Sequence, residues 1–202
     1  MDVEKANYVR IQQLLLDIGT SVYRKIFKNR FPPVSSYGNF FEPLRNKLWA
    51  YLNESQRGIL FPSNGTYGGD LTDLDISVLY VLLRNICYIA PPSTGWGKEP
   101  YDSDRSIAAN IERIRIIRNK YVSHTPCPKI RDCEFKKEWE ILRTSILELS
   151  GEKTYQTQID KLLTTSLDPE SEKIYKSAVE SMCKNERSVK QLLQLFEGII
   201  LY

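Results

Sequence analysis

The 202-residue sequence predicts an all-α protein, and three observations carry that expectation. Apolar residues recur three and four positions apart through most of the chain. Strand-like alternation of apolar and polar residues is almost absent. Proline and glycine clusters divide the periodic stretches into lengths that suit helices. With 42% hydrophobic and 26% charged residues, the chain is globular in composition and large enough to bury a core without disulfides or metal.

The first helix is expected over about residues 3–28, carrying Val9, Leu14, Leu15, Ile18, Val22 and Ile26, and stopped at Phe31-Pro32-Pro33. A second follows Pro43 with Leu44, Leu48, Tyr51 and Leu52. Residues 57–69, with Pro62, Asn64-Gly65 and Gly68-Gly69, read as a loop. From Asp70, Asp73 and Asp75 place negative charge in the first turn of an apolar helix containing Ile76, Leu79, Leu82, Leu83, Ile86 and Cys87. That helix is apolar nearly all round, so it is expected to be the most buried, ending at Pro91-Pro92.

Ser103 or Asp102 can cap the next helix, which runs to about Val122. Phe135, Trp139, Leu142, Ile146 and Leu149 form a regular stripe on a helix that Gly151 closes. Ile159, Leu162 and Leu163 mark a shorter one, and Ile174, Tyr175, Val179 and Met182 another. Val189, Leu192, Leu193, Phe196 and Ile199 give the last stretch an apolar face that needs covering. The expected organisation is one domain: a helical extension over about 1–60, a core bundle over about 70–166 and terminal helices over about 168–202.

No stretch reaches the length of a membrane span, and the mixed charge of Met1-Asp2-Val3-Glu4-Lys5 does not resemble a secretory leader, so a cytoplasmic protein is expected. Four irregularly spaced cysteines argue against a disulfide framework. His124, Cys127 and Cys133 lack a fourth ligand at sensible spacing for zinc, so neither metal nor cofactor is expected. The net charge of +3 permits contact with RNA without demanding it.

One position breaks the pattern. Ile107, Ile111, Ile114 and Tyr121 form a stripe, and Arg118 falls inside it, within about 20° of Ile107 on a helical wheel. A buried guanidinium needs hydrogen-bonding partners: a carboxylate, a subunit interface or a phosphate. His124 is the only histidine, six residues on. In an unbroken α-helix the two would stand about 120° apart, so a direct pairing requires the helix to end or unwind near Val122. Pro126 favours that, because the residue before a proline avoids helical geometry. Both residues also have ordinary readings, Arg118 as a structural ion-pair member and His124 as a helix cap.

Arg113, Arg115, Lys120, Lys129 and Arg131 cluster around this segment, either as a solvated face or as a rim that tracks phosphates. Arg84, on the central helix, can meet a phosphate or pair with Glu99, Asp102 or Asp104. Trp96, between two glycines, reads as a loop anchor in preference to a base-stacking platform.

Arg118-Asn119-Lys120-Tyr121-Val122-Ser123-His124 resembles the signature of the HEPN superfamily: an arginine, a polar residue, and a histidine four to six residues beyond the arginine. A series of blocks resembles the subgroup typified by the HEPN domain of the DAZ-interacting RING-type ubiquitin ligase. They are Asn7-Tyr8-Val9-Arg10, Leu82-Leu83-Arg84-Asn85-Ile86-Cys87, Pro91-Pro92-Ser93-Thr94-Gly95-Trp96-Gly97, Ala109-Asn110-Ile111-Glu112-Arg113-Ile114 and Leu167-Asp168-Pro169-Glu170.

The resemblance implies an up-and-down helical bundle that dimerises so that arginines and histidines from two subunits line one cleft. It implies a metal-independent endoribonuclease acting on single-stranded RNA. His124 would act as general base or acid, Arg118 would stabilise the charged transition state, and Asn119 would orient the phosphate or the histidine. Arg84, Arg113, Arg115, Lys120, Lys129 and Arg131 would contact RNA. The family alternative is a non-catalytic module that dimerises and binds RNA or partner proteins, through fused domains, in an innate-defence or ubiquitin-ligase assembly.

Overall fold

The computed structural model describes residues 2–31, 34–123 and 129–165, together with residues 173, 174 and 177. Among the described residues there are helices and no strand, as the periodicity requires. Asp2 starts the first helix by accepting the Glu4 N–H, opening α1 (Val3–Gln13). The winding then widens into a π turn over Leu14–Gly19 and returns to α geometry in α2 (Thr20–Arg30). The helix expected over 3–28 is thus a continuous rod with a π insertion. The Thr20 hydroxyl donates to the Leu15 carbonyl inside that insertion, at 3.2 Å.

Three short helices follow: α3 (Tyr37–Phe41), α4 (Arg45–Trp49) and α5 (Glu54–Leu60), with a 3-10 turn at Glu42–Leu44 between the first two. Residues 57–60 are helical, which corrects the loop expected from 57 onward. Asn53 and Gln56 exchange side-chain-to-backbone hydrogen bonds in a capping box, and that start signal outweighs Gly58 and Pro62 downstream.

Asp75 caps α6 (Ile76–Ile86), its carboxylate accepting the Ser77 and Val78 N–H groups at 2.8 and 2.9 Å. Asp73 lies outside that helix, in a 3-10 turn over Leu71–Asp73 that it and Asp70 cap. The helix is buried on almost every side, as its composition implies, through Ile76, Val78, Leu79, Val81, Leu82, Leu83 and Ile86. It ends well before Pro91-Pro92, in a left-handed turn at Tyr88 with φ 53°.

Ser106 caps α7 (Ile107–Arg118), not Ser103 or Asp102. Asp104 fixes the approach by accepting from Ser93 and from the Ser106 N–H, so the chain cannot enter the helix earlier. Ile107, the first helical residue, is 43% exposed, which corrects its place in the buried stripe. The buried face runs through Ala108, Ile111, Ile114, Ile117 and on to Tyr121.

Along α8 (Asp132–Ser150), Phe135, Trp139, Leu142 and Ile146 are buried in the expected register, and Gly151 closes the helix with φ 64°. The described chain continues through α9 (Lys153–Thr164), held by Ile159. The pair α7 and α8 packs side by side, α2 lies on α6 and α8, and α1 lies on α8 and on the segment after α7. The rod and the later helices share one apolar core, in which Leu14, Tyr23 and Phe27 meet residues such as Leu82, Ile111 and Leu142. No helix of the described residues is long and apolar enough to cross a membrane. The apolar stripe expected over 189–200 lies outside the described residues.

Candidate functional site

Arg118 closes α7 and is 7% exposed, at the core-facing position its spacing implies. One guanidinium nitrogen, Nη2, donates to Ser77 Oγ on the first turn of α6 at 2.5 Å. Nη1 donates to Asn119 Oδ1 at 3.0 Å. The positive charge also reaches the buried Tyr23, whose hydroxyl donates to the Ile111 carbonyl at 2.8 Å. Burial raises the Tyr23 phenol well above its ordinary value, and Glu112 adds to the effect.

From Asn119 the helix widens into a second π segment, Asn119–Ser123. A pairing of Arg118 with His124 requires unwinding near Val122, and the departure from α geometry begins three residues earlier. His124 itself lies outside the described residues, as does Cys127.

The flanks of that segment are pinned by α1. The Tyr121 carbonyl accepts from Tyr8 Oη at 3.1 Å and from Gln12 Nε2 at 2.9 Å. Beyond residues 124–128, Asn7 Nδ2 donates to the Ile130 carbonyl at 3.2 Å and to Asp132 Oδ1 at 2.7 Å. The Ile130 N–H donates to the Glu4 carbonyl at 3.0 Å, and Lys129 pairs with Asp2 at 2.9 Å. From the opposite side, Glu134 of α8 accepts from Tyr121 Oη at 2.9 Å. Asn7 and Gln12 are buried polar residues that periodicity alone passes over; their partners lie more than a hundred positions away.

Asn7→Ala is expected to cost roughly 1–3 kcal/mol, because the Ile130 carbonyl and Asp132 lose a buried donor. Urea unfolding checks this; an unchanged midpoint would mean the contact carries no weight.

The expected basic rim divides on inspection. Arg113 is buried, donating to Asn110 Oδ1 and to the carbonyls of Tyr101 and Asp104 at 2.7–2.9 Å, so its guanidinium organises the loop before α7. Burial lowers its pKa. Arg115 pairs with Glu112 at 2.6 Å. Lys120 pairs with Glu134 and Glu138 at 2.7 and 2.8 Å; burial opposes its charge, but these bonds prevail and raise its pKa. Arg131 is exposed at the start of α8. Arg84 does not pair with Glu99, Asp102 or Asp104; its guanidinium lies over the Tyr51 ring, 5.7 Å from the centroid.

Glu112, not singled out by spacing, is fully buried between Ile111 and Ile114. Its carboxylate accepts from Tyr80 Oη at 2.6 Å, the Gly97 N–H at 3.1 Å and Arg115 Nε at 2.6 Å. Burial, then the bond to Glu112, pushes the Tyr80 phenol up to about 12. Trp96 packs edge-on to Tyr80 with centroids 6.3 Å apart, a loop anchor as its glycine setting implies. This network ties the loop between α6 and α7 to both helices.

A model of the DZIP3/hRUL138-like HEPN family matches residues 39–175, well over half of the chain. Two curated relatives are similar over 164 residues: the E3 ubiquitin-protein ligase DZIP3 of Mus musculus, 26% identical, and that of Homo sapiens, 25% identical. Each similarity takes in 77% of this chain and 13% of the relative, so the chain spans a small part of their length. No solved structure matches significantly.

Proposed function

The chain belongs to the DZIP3/hRUL138-like HEPN family, and on that premise we propose that it is a metal-independent endoribonuclease acting on single-stranded RNA. One observation carries the reading. Arg118 is held in place by Ser77 and Asn119, immediately before a segment that leaves α geometry and is pinned on both sides by α1. Catalysis of this kind depends on orientation, and the contacts of α1 to Tyr121, Ile130 and Asp132 fix the described residues on either side of the motif.

In the proposed reaction the ribose 2′-oxygen attacks the adjacent phosphorus. His124 takes the 2′-hydroxyl proton, the bond from phosphorus to the 5′-oxygen breaks, and that oxygen takes a proton from solvent water as it leaves. The products are a 2′,3′-cyclic phosphate and a 5′-hydroxyl. Arg118 offers its planar donors to the charge that gathers on the phosphoryl oxygens, and Asn119, which accepts from that guanidinium, orients the phosphate or the histidine. A homodimer, with both motifs facing one cleft, completes the site, and the domain works in the cytoplasm.

A second reading is a non-catalytic module that binds RNA or partner proteins, in an assembly such as a ubiquitin ligase. It is favoured by the internal engagement of Arg113, Arg115 and Lys120, which leaves a thinner rim for phosphates.

Incubating the protein with end-labelled single-stranded RNA in EDTA tests the choice. Cyclic-phosphate ends are expected, and a single 2′-deoxyribose at the cleaved position should block the cut. RNA left intact by folded protein would remove the catalytic reading and leave the second.

A further inference from the structure

The seam between α4 and α6 joins Arg84, already expected to meet RNA, to a lysine and two aromatic rings that the Arg118 site does not use. Lys47 of α4 reaches across to the ring of Tyr88, just past α6, at 5.3 Å from its centroid. Arg84 of α6 reaches back over Tyr51, just past α4, at 5.7 Å. Both rings stand largely in solvent, 51% and 87% exposed. Tyr88 does so from a left-handed backbone that residues other than glycine rarely adopt.

Among the described residues no carboxylate forms an ion pair with Lys47 or Arg84, whereas Arg45 of α4 is paired with Glu42 at 2.8 Å.

Each ring carries a cation on one side and is otherwise exposed, and cations without a carboxylate partner beside exposed rings suit an anionic ligand that also carries flat rings. An acidic peptide would satisfy the cations and leave the tyrosine faces wet. A duplex would keep its bases stacked on one another. A single strand offers phosphates and free bases together. Along α6, Arg84 lies seven residues beyond Ser77, the partner of Arg118, or about 10 Å of helix rise.

We propose that the α4–α6 seam is a second contact for single-stranded RNA, in which Tyr51 and Tyr88 stack on bases while Lys47 and Arg84 meet the phosphates. The inference rests on the RNA reading of the Arg118 site and extends it to a separate surface.

Fluorescence anisotropy of the full chain with a labelled twelve-nucleotide oligouridine tests it. Joint Tyr51→Ala and Tyr88→Ala should weaken binding at least about tenfold with an unchanged melting temperature. Joint replacement by phenylalanine should preserve affinity, since stacking uses the ring. Arg84→Ala should flatten the dependence on salt. Equal binding by the alanine double variant, no binding by the wild type, or displacement by polyglutamate as readily as by unlabelled RNA would overturn the proposal. Tyrosine-dependent binding supports the seam even if the wild type cleaves nothing, so the two readings fail separately.

Discussion

Glu112→Ala is expected to destabilise the domain by about 3–5 kcal/mol, the range for breaking a buried ion pair by removing one partner. For a chain of this size that lowers the melting temperature by roughly 6–20 °C. The carboxylate is fully buried and serves three donors at once, on α6, on α7 and in the loop between them. Its removal leaves Arg115 without its carboxylate, and leaves Tyr80 and the Gly97 N–H without an acceptor. Glu112→Gln should be milder, because an amide oxygen still accepts from Tyr80 and Gly97 while the ion pair to Arg115 is lost. Thermal unfolding followed by circular dichroism reads both. A melting temperature for Glu112→Ala within about 2 °C of the wild type would refute the idea that this network holds α6 against α7.

Gly38→Ala is the second large effect. A Cβ at this position would collide with the Tyr67 carbonyl oxygen, and would lie 2.9 Å from both the Tyr67 nitrogen and the Thr66 Cβ. Two of these atoms are backbone, so no rotamer change relieves the contact, and α3 must move away from residues 66–67. Overpacking typically costs about 1–3 kcal/mol, and a backbone collision belongs at the upper end or beyond. Gly58→Ala serves as the control, because a Cβ there meets nothing within 4 Å and replaces glycine inside a helix. The expected result is a large fall in urea midpoint for the first and a neutral or raised one for the second. Equal midpoints would contradict the close approach of α3 to this turn.

Where side chains bury by periodicity, the sequence was legible. Phe135, Trp139, Leu142 and Ile146 face the core in the register their spacing implies, and α6 is buried nearly all round. Leu149, at the end of the same stripe, is only partly covered, because the helix is about to leave the bundle at Gly151. Ile107 failed for the matching reason at a start: it follows directly on the cap at Ser106 and lies at the rim. The π segments could not be read, since their residues fit an α-helix equally well. What distinguishes the second is the pair of long-range donors, Tyr8 and Gln12, that meet the Tyr121 carbonyl.

The candidate site was legible in one respect and hidden in another. An arginine on an apolar arc announces itself by cost, and Arg118 is indeed buried and hydrogen-bonded. The surrounding cations looked alike in sequence. Only their partners separate Arg113 and Arg115, which hold the fold, from Arg84, which lies over Tyr51. Glu112 gave no periodic signal because its three partners come from a loop, a neighbouring helix and its own next turn.

The most direct measurement is the cleavage rate of labelled single-stranded RNA in EDTA, for the wild type beside Arg118→Ala and His124→Ala. A positioned acid or base contributes about 10²–10⁴-fold and a donor to the transition-state charge about 10²–10³-fold, so each variant should lose at least about a hundredfold in rate. The melting temperature of each variant, read beside its rate, separates lost chemistry from lost folding. Equal rates for all three proteins would contradict the assignment of Arg118 and His124 as the working pair.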